Sequence, residues 1–183
     1  MGFLQGTSGK FVDVTEDEHL KVDSVTRTKD NFINGDSGKV WSLPFTAIDP
    51  AGASDKFFYL KNTGSVPLRV TDIRISSTVV GIAYAQKVSG TPSYVGATAI
   101  TPVSRRTGKN PTLQATANTD TDITGLTDEG NWFDLPCDSA GKQHHLRTSS
   151  NMIIDPGGAM ALEWDTSTGI LTGTVSVVEN GID

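Results

Sequence analysis

The chain has 183 residues, enough for one domain that buries roughly 70% of its unfolded surface without help from disulfides or metal. Its net charge of −6 and its lack of a basic stripe argue against nucleic acid, because binding phosphate needs clustered Lys and Arg. The lone Cys137 excludes an intramolecular disulfide and suits a reducing compartment, and no apolar run reaches the roughly 18 residues a membrane helix needs. Only 36% of residues are apolar, while 19 glycines, 8 prolines and abundant Thr and Ser predict strands joined by turns.

In chain order, residues 1–9 have the composition of a flexible arm with Phe3 and Leu4 as apolar anchors, either free or docked on a neighbouring subunit. The opening lacks the charged and apolar regions of a signal peptide, and Gly6 stands where a myristoylation signal requires Ser or Thr. Residues 10–183 are expected to form a single domain, starting with a short strand at Phe11-Val12-Asp13-Val14. A second strand is expected over 19–28, where Leu20 and Val22 alternate with His19, Lys21 and Asp23, and a polar loop follows over 30–38. Trp41, Leu43 and Phe45 alternate with Ser42 and Pro44, and Pro44 places this strand at a sheet edge or bulge.

Lys56-Phe57-Phe58-Tyr59-Leu60-Lys61, the turn Asn62-Thr63-Gly64-Ser65 and the run from Pro67 to Ile75 predict a β-hairpin. The apolar parity shifts from Leu68/Val70 to Ile73/Ile75, which predicts a bulge near Thr71-Asp72. Val80, Ile82, Tyr84 and Val88 then alternate with Gly81, Ala83 and Ala85. From 89 to 122 the chain is rich in Gly, Pro and Thr, with Tyr94, Ile100, Val103 and Leu113 as its apolar anchors. A structureless loop of that length is unusual in a compact domain, so this excursion is expected to form short strands or to contact a partner. Trp132-Phe133-Asp134-Leu135 and Met152-Ile153-Ile154 are short strands. The turn Asp155-Pro156-Gly157-Gly158 leads to a strand with Met160, Leu162 and Trp164 on one face, and a last strand covers 170–178. No segment has a capped 3.6-residue apolar period, so the fold class is all-β: a β-sandwich, with the jelly roll as one form of it.

Catalytic templates find little to fit. His144 and His145 are adjacent, so on a strand they point to opposite faces and cannot share a metal; His19 is the other histidine. Cys137 lies seven residues before His144, without the Gly-rich oxyanion loop that a nucleophile would need, and a buried thiol is expected. No catalytic residue, cofactor or metal is assigned. Asp120, Asp122, Thr124 and Asp128 mimic the opening of a calcium loop, but Asn131 replaces the bidentate Glu, and an acidic turn is the plainer reading. Among aromatics that might receive a sugar, Trp41, Trp132 and Trp164 are weighed first, and two of these three lie on alternating apolar faces that fill a core. Tyr94 in its Thr-Pro-Ser-Tyr loop is the aromatic expected to be exposed. Arg105, Arg106 and Lys109 form the one basic cluster along the chain, either solvated or an interface for an acidic partner.

Two stretches carry a family resemblance. Val12-Asp13-Val14-Thr15 through Leu20-Lys21-Val22-Asp23-Ser24-Val25-Thr26 resembles the start of many small bacteriophage virion proteins, in which a Leu-x-Val-x-x-Val-Thr strand precedes a β-sandwich. Phe58-Tyr59-Leu60-Lys61-Asn62-Thr63-Gly64 with Leu68-Arg69-Val70-Thr71-Asp72-Ile73-Arg74-Ile75 is similar to the Lys-Asn-Thr hairpin of that group, and the turn at 155–158 also fits. The resemblance implies a non-enzymatic virion structural protein, assembled in the host cytoplasm, that oligomerises and binds the major capsid protein or other virion subunits. A capsid decoration (cement) protein on the outer face of a head is the leading expectation, since an acidic domain suits the side away from packaged DNA. The alternatives are a tail or fibre adhesin module for a host glycan or receptor, and a secreted bacterial β-sandwich subunit.

Overall fold

The computed structural model describes residues 4–5, 11–12, 39–105, 108, 111–147 and 152–179; Phe3, Arg106, Lys109 and the strand expected over 19–28 lie outside them. The chain divides into two units, Met1–Phe32 and Ile33–Asp183. In the first unit, β1 (Leu4–Gln5) pairs antiparallel with β2 (Phe11–Val12), placing Leu4 opposite Val12.

The second unit is an all-β sandwich. Its strands are β3 (Val40–Ile48), β4 (Asp55–Asn62), β5 (Leu68–Ser77), β6 (Gly81–Tyr94), β7 (Thr98–Ala99), β8 (Val103–Ser104) and β9 (Ala115–Thr119). They are followed by β10 (Ile123–Cys137), β11 (Gln143–Arg147), β12 (Ile153–Ile154), β13 (Ala159–Trp164) and β14 (Leu171–Glu179). One sheet has the order β11-β5-β14-β3-β8, with β12 also on β5; the other has the order β10-β6-β13-β4-β9-β7. We refer to them as the β14 sheet and the β13 sheet. Taking the eight principal strands β3, β4, β5, β6, β10, β11, β13 and β14 in sequence, one sheet runs first-eighth-third-sixth and the other second-seventh-fourth-fifth. That is the double Greek-key order of a jelly roll. The core lies between the sheets, where the Phe45 ring of β3 meets Phe57 and Phe58 of β4 at 5.6 and 5.8 Å between centroids.

The expected β4–β5 hairpin is instead a corner between sheets. β4 pairs with β13 and β9, and β5 pairs with β14, β11 and β12. Asn62 makes the corner. Its side chain is fully buried, donates from Nδ2 to the carbonyls of Val66 and Ile154 (both 2.9 Å), and accepts from the Gly64 amide (2.9 Å). Its backbone also pairs with the 155–158 turn, donating to Gly158 and accepting from Gly157. A buried amide with every bond made holds this geometry in place of a tight two-strand turn.

The bulge expected near Thr71 is present. Ser176 and Val177 of β14 face Asp72 and Val70, leaving Thr71 as the extra residue, and its hydroxyl donates to the Ser176 carbonyl at 3.3 Å. Pro44 faces Thr174 of β14, while β8 pairs only with Trp41 and Ser42, so β3 has no strand on its far side at the proline. On β6 the small residues take the core side: Ala83 and Ala85 are buried there, whereas Val80 is 59% exposed. The reason is Trp164, since a Cβ on Gly81 would come within 2.5 Å of its ring.

The excursion is less loop-like than its composition suggests. β6 continues as far as Tyr94 against β10, and β9 and β8 widen both sheets beside β4 and β3. Leu113 and Ala117 enter the main core. Beyond Val88 and Ala159, β6 has no partner but β10, and this two-stranded ribbon folds over the outer face of the β13 sheet. There Ile123, Leu126 and Tyr94 pack on Tyr59, Val88, Ala159 and Ala161, forming a second apolar cluster. The bend uses Gly90 (φ 98°) and Gly125 (φ 75°), where each Cβ would strike the opposite backbone at 2.7 and 2.6 Å. Both are positions that glycine alone fills without strain.

Candidate functional site

The ribbon and the turn before it carry the acidic residues that the sequence suggested for an ion, and the structure gives Asp120 and Asp128 other partners. Asp120 follows β9 and is 5% exposed. Its Oδ2 accepts from the amides of Val95 (2.7 Å) and Gly96 (2.9 Å), and its Oδ1 from the amide of Thr121 (2.7 Å). Burial alone would raise the Asp120 carboxyl, but these amides outweigh it and hold the group below its ordinary value. Asp122 is pushed the other way, first by burial and then by Asp55 and Asp120.

Asp128 is drawn off to Lys56, whose Nζ lies 3.0 Å from Asp128 Oδ1 and 3.1 Å from Glu163 Oε2; Gln86 Nε2 donates to that same Glu163 oxygen at 3.0 Å. Burial opposes the Lys56 charge, yet the two carboxylates prevail and the ammonium is held above its ordinary value. Thr124 sits exposed on β10 opposite Ser93. The arrangement accords with the plainer reading of Asp120, Asp122, Thr124 and Asp128 as an acidic turn. Asp120 and Asp128 turn to different partners, and among the described residues no three His, Cys, Asp or Glu side chains converge as metal ligands.

Tyr94 is not the exposed loop aromatic expected. It ends β6, packs on the Tyr59 cluster and accepts a bond from Asn118 Nδ2 at 3.2 Å, while the neighbouring Val95 is 81% exposed. Cys137 is fully buried, with its thiol pushed up to about 11 first by burial and then by Asp165 and Asp138. His144 Nε2 lies 3.1 Å from the Ser139 carbonyl, and His145 Nε2 contacts Asp72 Oδ1. The two histidines thus reach separate partners, as adjacent strand residues must.

Arg105, flagged as an interface residue, lies over the outer face of the β14 sheet. It donates from Nε to Ser42 Oγ (2.9 Å) and from Nη2 to Ser176 Oγ (2.5 Å). Of the tryptophans, Trp41 and Trp164 fill the core and satisfy their indole N–H groups on the carbonyls of Pro111 and Thr168, both at 3.0 Å.

Trp132 differs. It is partly buried and lines a cleft of about 450 Å³ between the ribbon and the 155–158 turn, together with Lys61, Lys87 and Glu129. Lys87 Nζ is 2.7 Å from Glu129 Oε2, and the lysine holds the Glu129 carboxyl below its ordinary value, with help from Ser89. The sequence left Trp132 as the tryptophan without an alternating apolar face, and the structure packs it only partly against the main core. Before it, the polar, Gly-containing run Asp128-Glu129-Gly130-Asn131 holds register shifts that turn β10 out of regular alternation. No protein-family model, no curated protein and no solved structure matches this chain.

Proposed function

We propose that the chain is a non-enzymatic structural protein that works by packing against other proteins, and that it is a capsid decoration protein on the outer surface of a phage head. The observation that carries the non-enzymatic part is the fate of the reactive groups. Among the described residues, the candidates Asp120, Asp128, Cys137, His144 and His145 each hold a structural partner or lie in the core, so none of them pairs with another as nucleophile and base. The virion assignment rests on the sequence resemblance. It is supported by analogy, because jelly-roll sandwiches serve viral capsid and lectin domains, although a fold alone does not fix a function. Quantitative mass spectrometry of purified particles tests it. Decoration requires copies on the order of the capsid lattice, where repeated weak contacts give avidity, and particles lacking the chain should lose DNA at lower temperature. Absence from the particle would overturn the assignment.

The Trp132 cleft favours a second reading, an adhesin module for a host glycan. An indole beside the Lys87–Glu129 pair offers a stacking face next to charged hydrogen-bonding groups. A glycan array comparing the wild type with Trp132→Ala decides it; binding that survives the substitution removes the cleft from the argument.

A further inference from the structure

The described arginines all belong to one sheet. Arg69 and Arg74 are on β5, Arg147 is on β11 and Arg105 follows β8, all strands of the β14 sheet. The register places them on its outer face. Ile73, Ile75, Val175 and Val177 point into the core, so Asp72, Arg74, Thr174 and Ser176 point out. Arg147, Asp72, Ser176 and Ser42 form one cross-strand row, and His145, Arg74, Thr174 and Pro44 the next. Arg69 faces Val178 one row further along, and Arg105 reaches across from the β8 side to Ser42 and Ser176. Asp72 is the acidic residue within these rows. It is 6% exposed and already held by Arg74 Nε at 2.8 Å and by His145. Four arginines and one paired carboxylate among the described residues of this face are out of keeping with a chain of net charge −6. The acidic residues of the ribbon and its surroundings, Asp122, Asp128, Glu129 and Glu163, belong to the opposite side of the sandwich.

From this segregation we propose that the outer face of the β14 sheet is a docking surface for a carboxylate-bearing protein surface. Two of the guanidinium groups are already oriented, Arg105 by two serine hydroxyls and Arg74 by Asp72, so less side-chain entropy is lost on binding. A guanidinium fork matches a carboxylate in a bidentate pair, and Arg105 and Arg147 carry theirs at exposed positions above the buried Ser176. A protein surface fits better than a nucleic acid. The basic area spans four or five strands at about 4.8 Å each, roughly 20 Å in all, whereas duplex DNA presents a charge about every 1.7 Å and would run onto the acidic remainder of the domain. The inference does not depend on the decoration reading, since it specifies the chemistry of the partner and not its identity.

The test uses the full chain and a fluorescent poly-L-glutamate of about 20 residues as probe, with anisotropy read at low and at physiological salt. Binding is expected, weakening as salt shortens the screening length from about 10 Å near 0.1 M. Arg147→Glu, at an exposed position, should reduce affinity about tenfold. The double variant Thr124→Glu/Thr127→Glu makes the same change in net charge on the exposed ribbon and should leave binding within about twofold. Unchanged thermal midpoints show that the variants remain folded. Equal loss in the ribbon variant would mean a net-charge effect and overturn the proposal, as would failure to bind the probe at low salt. Tighter binding to a 20-base-pair duplex than to poly-L-glutamate would assign the face to nucleic acid. Self-association in sedimentation that Arg147→Glu abolishes would assign it to a second copy. Either result replaces the proposed partner.

Discussion

Asp120 separates an ion site from a structural cap most sharply. Replacing it with Ala removes the acceptor for three backbone amides, those of Val95, Gly96 and Thr121. A hydrogen bond to a charged acceptor contributes about 1.5–3 kcal/mol where water cannot substitute. Val95 and Gly96 lie in an exposed segment, so water recovers part of two of these bonds and the expected loss is about 2–3 kcal/mol. For a domain of this size that lowers the thermal midpoint by about 5–10 °C. Asp120→Asn keeps one acceptor oxygen and should lose about half as much.

The pH dependence has a definite sign. Because the folded carboxyl is held below its unfolded value of 3.8, the contribution is fully present above that value and is lost as pH falls through the lower, folded one. Wild type and Asp120→Asn should therefore differ at pH 7 and converge in acid. Urea denaturation with millimolar Ca²⁺ or with EDTA is the assay. If Ca²⁺ raises the midpoint of the wild type but not of the variant, or if Asp120→Ala costs less than about 0.5 kcal/mol, the capping argument fails.

Asn62→Ala should destabilise by about 2–3 kcal/mol, since the buried Ile154 carbonyl and the part-buried Val66 carbonyl and Gly64 amide lose their partner; an unchanged urea midpoint would show that the corner does not depend on this side chain. Lys56 is held above its unfolded value of 10.5, so its contribution is present below that pH and is lost as pH rises through the folded value. Thermal midpoints across that range should fall more steeply in the wild type than in Lys56→Met, and parallel curves would contradict the Lys56–Asp128–Glu163 arrangement. Cys137, buried and raised to about 11, should resist alkylation at pH 8 in the native protein and react fully in urea; rapid native labelling would place the thiol at the surface.

The fold was legible wherever local chemistry and tertiary environment agreed. Met160, Leu162 and Trp164 alternate because β13 faces the core on that side, and the parity slip at Thr71 is visible because a bulge must shift it. Legibility failed where a long-range contact decided the outcome. Nothing local distinguishes a hairpin at Asn62-Thr63-Gly64 from a corner; the difference is a bond to the carbonyl of Ile154, 92 residues away. The excursion forms the short strands expected of it, but its longest element carries no apolar signal. Its Gly and Thr content suggested loop, yet Gly90 and Gly125 are what allow the ribbon to fold over the β13 sheet and bury Ile123 and Tyr94 there.

The surfaces were harder to foresee, because a surface is assembled by register. The sequence displays Arg105, Arg106 and Lys109 as its basic cluster, since adjacency along the chain is all that a sequence shows directly. Arg69, Arg74 and Arg147 are scattered between acidic and apolar neighbours and carry no local signal. They become one face only because β5 lies between β11 and β14, and Arg105 joins them only because β8 closes the edge beside β3. A sandwich strand contributes every second side chain to each side, so local sequence averages the charge of two opposite faces. A net charge of −6 can therefore conceal a basic face, and composition alone is a weak guide to what a jelly-roll domain binds.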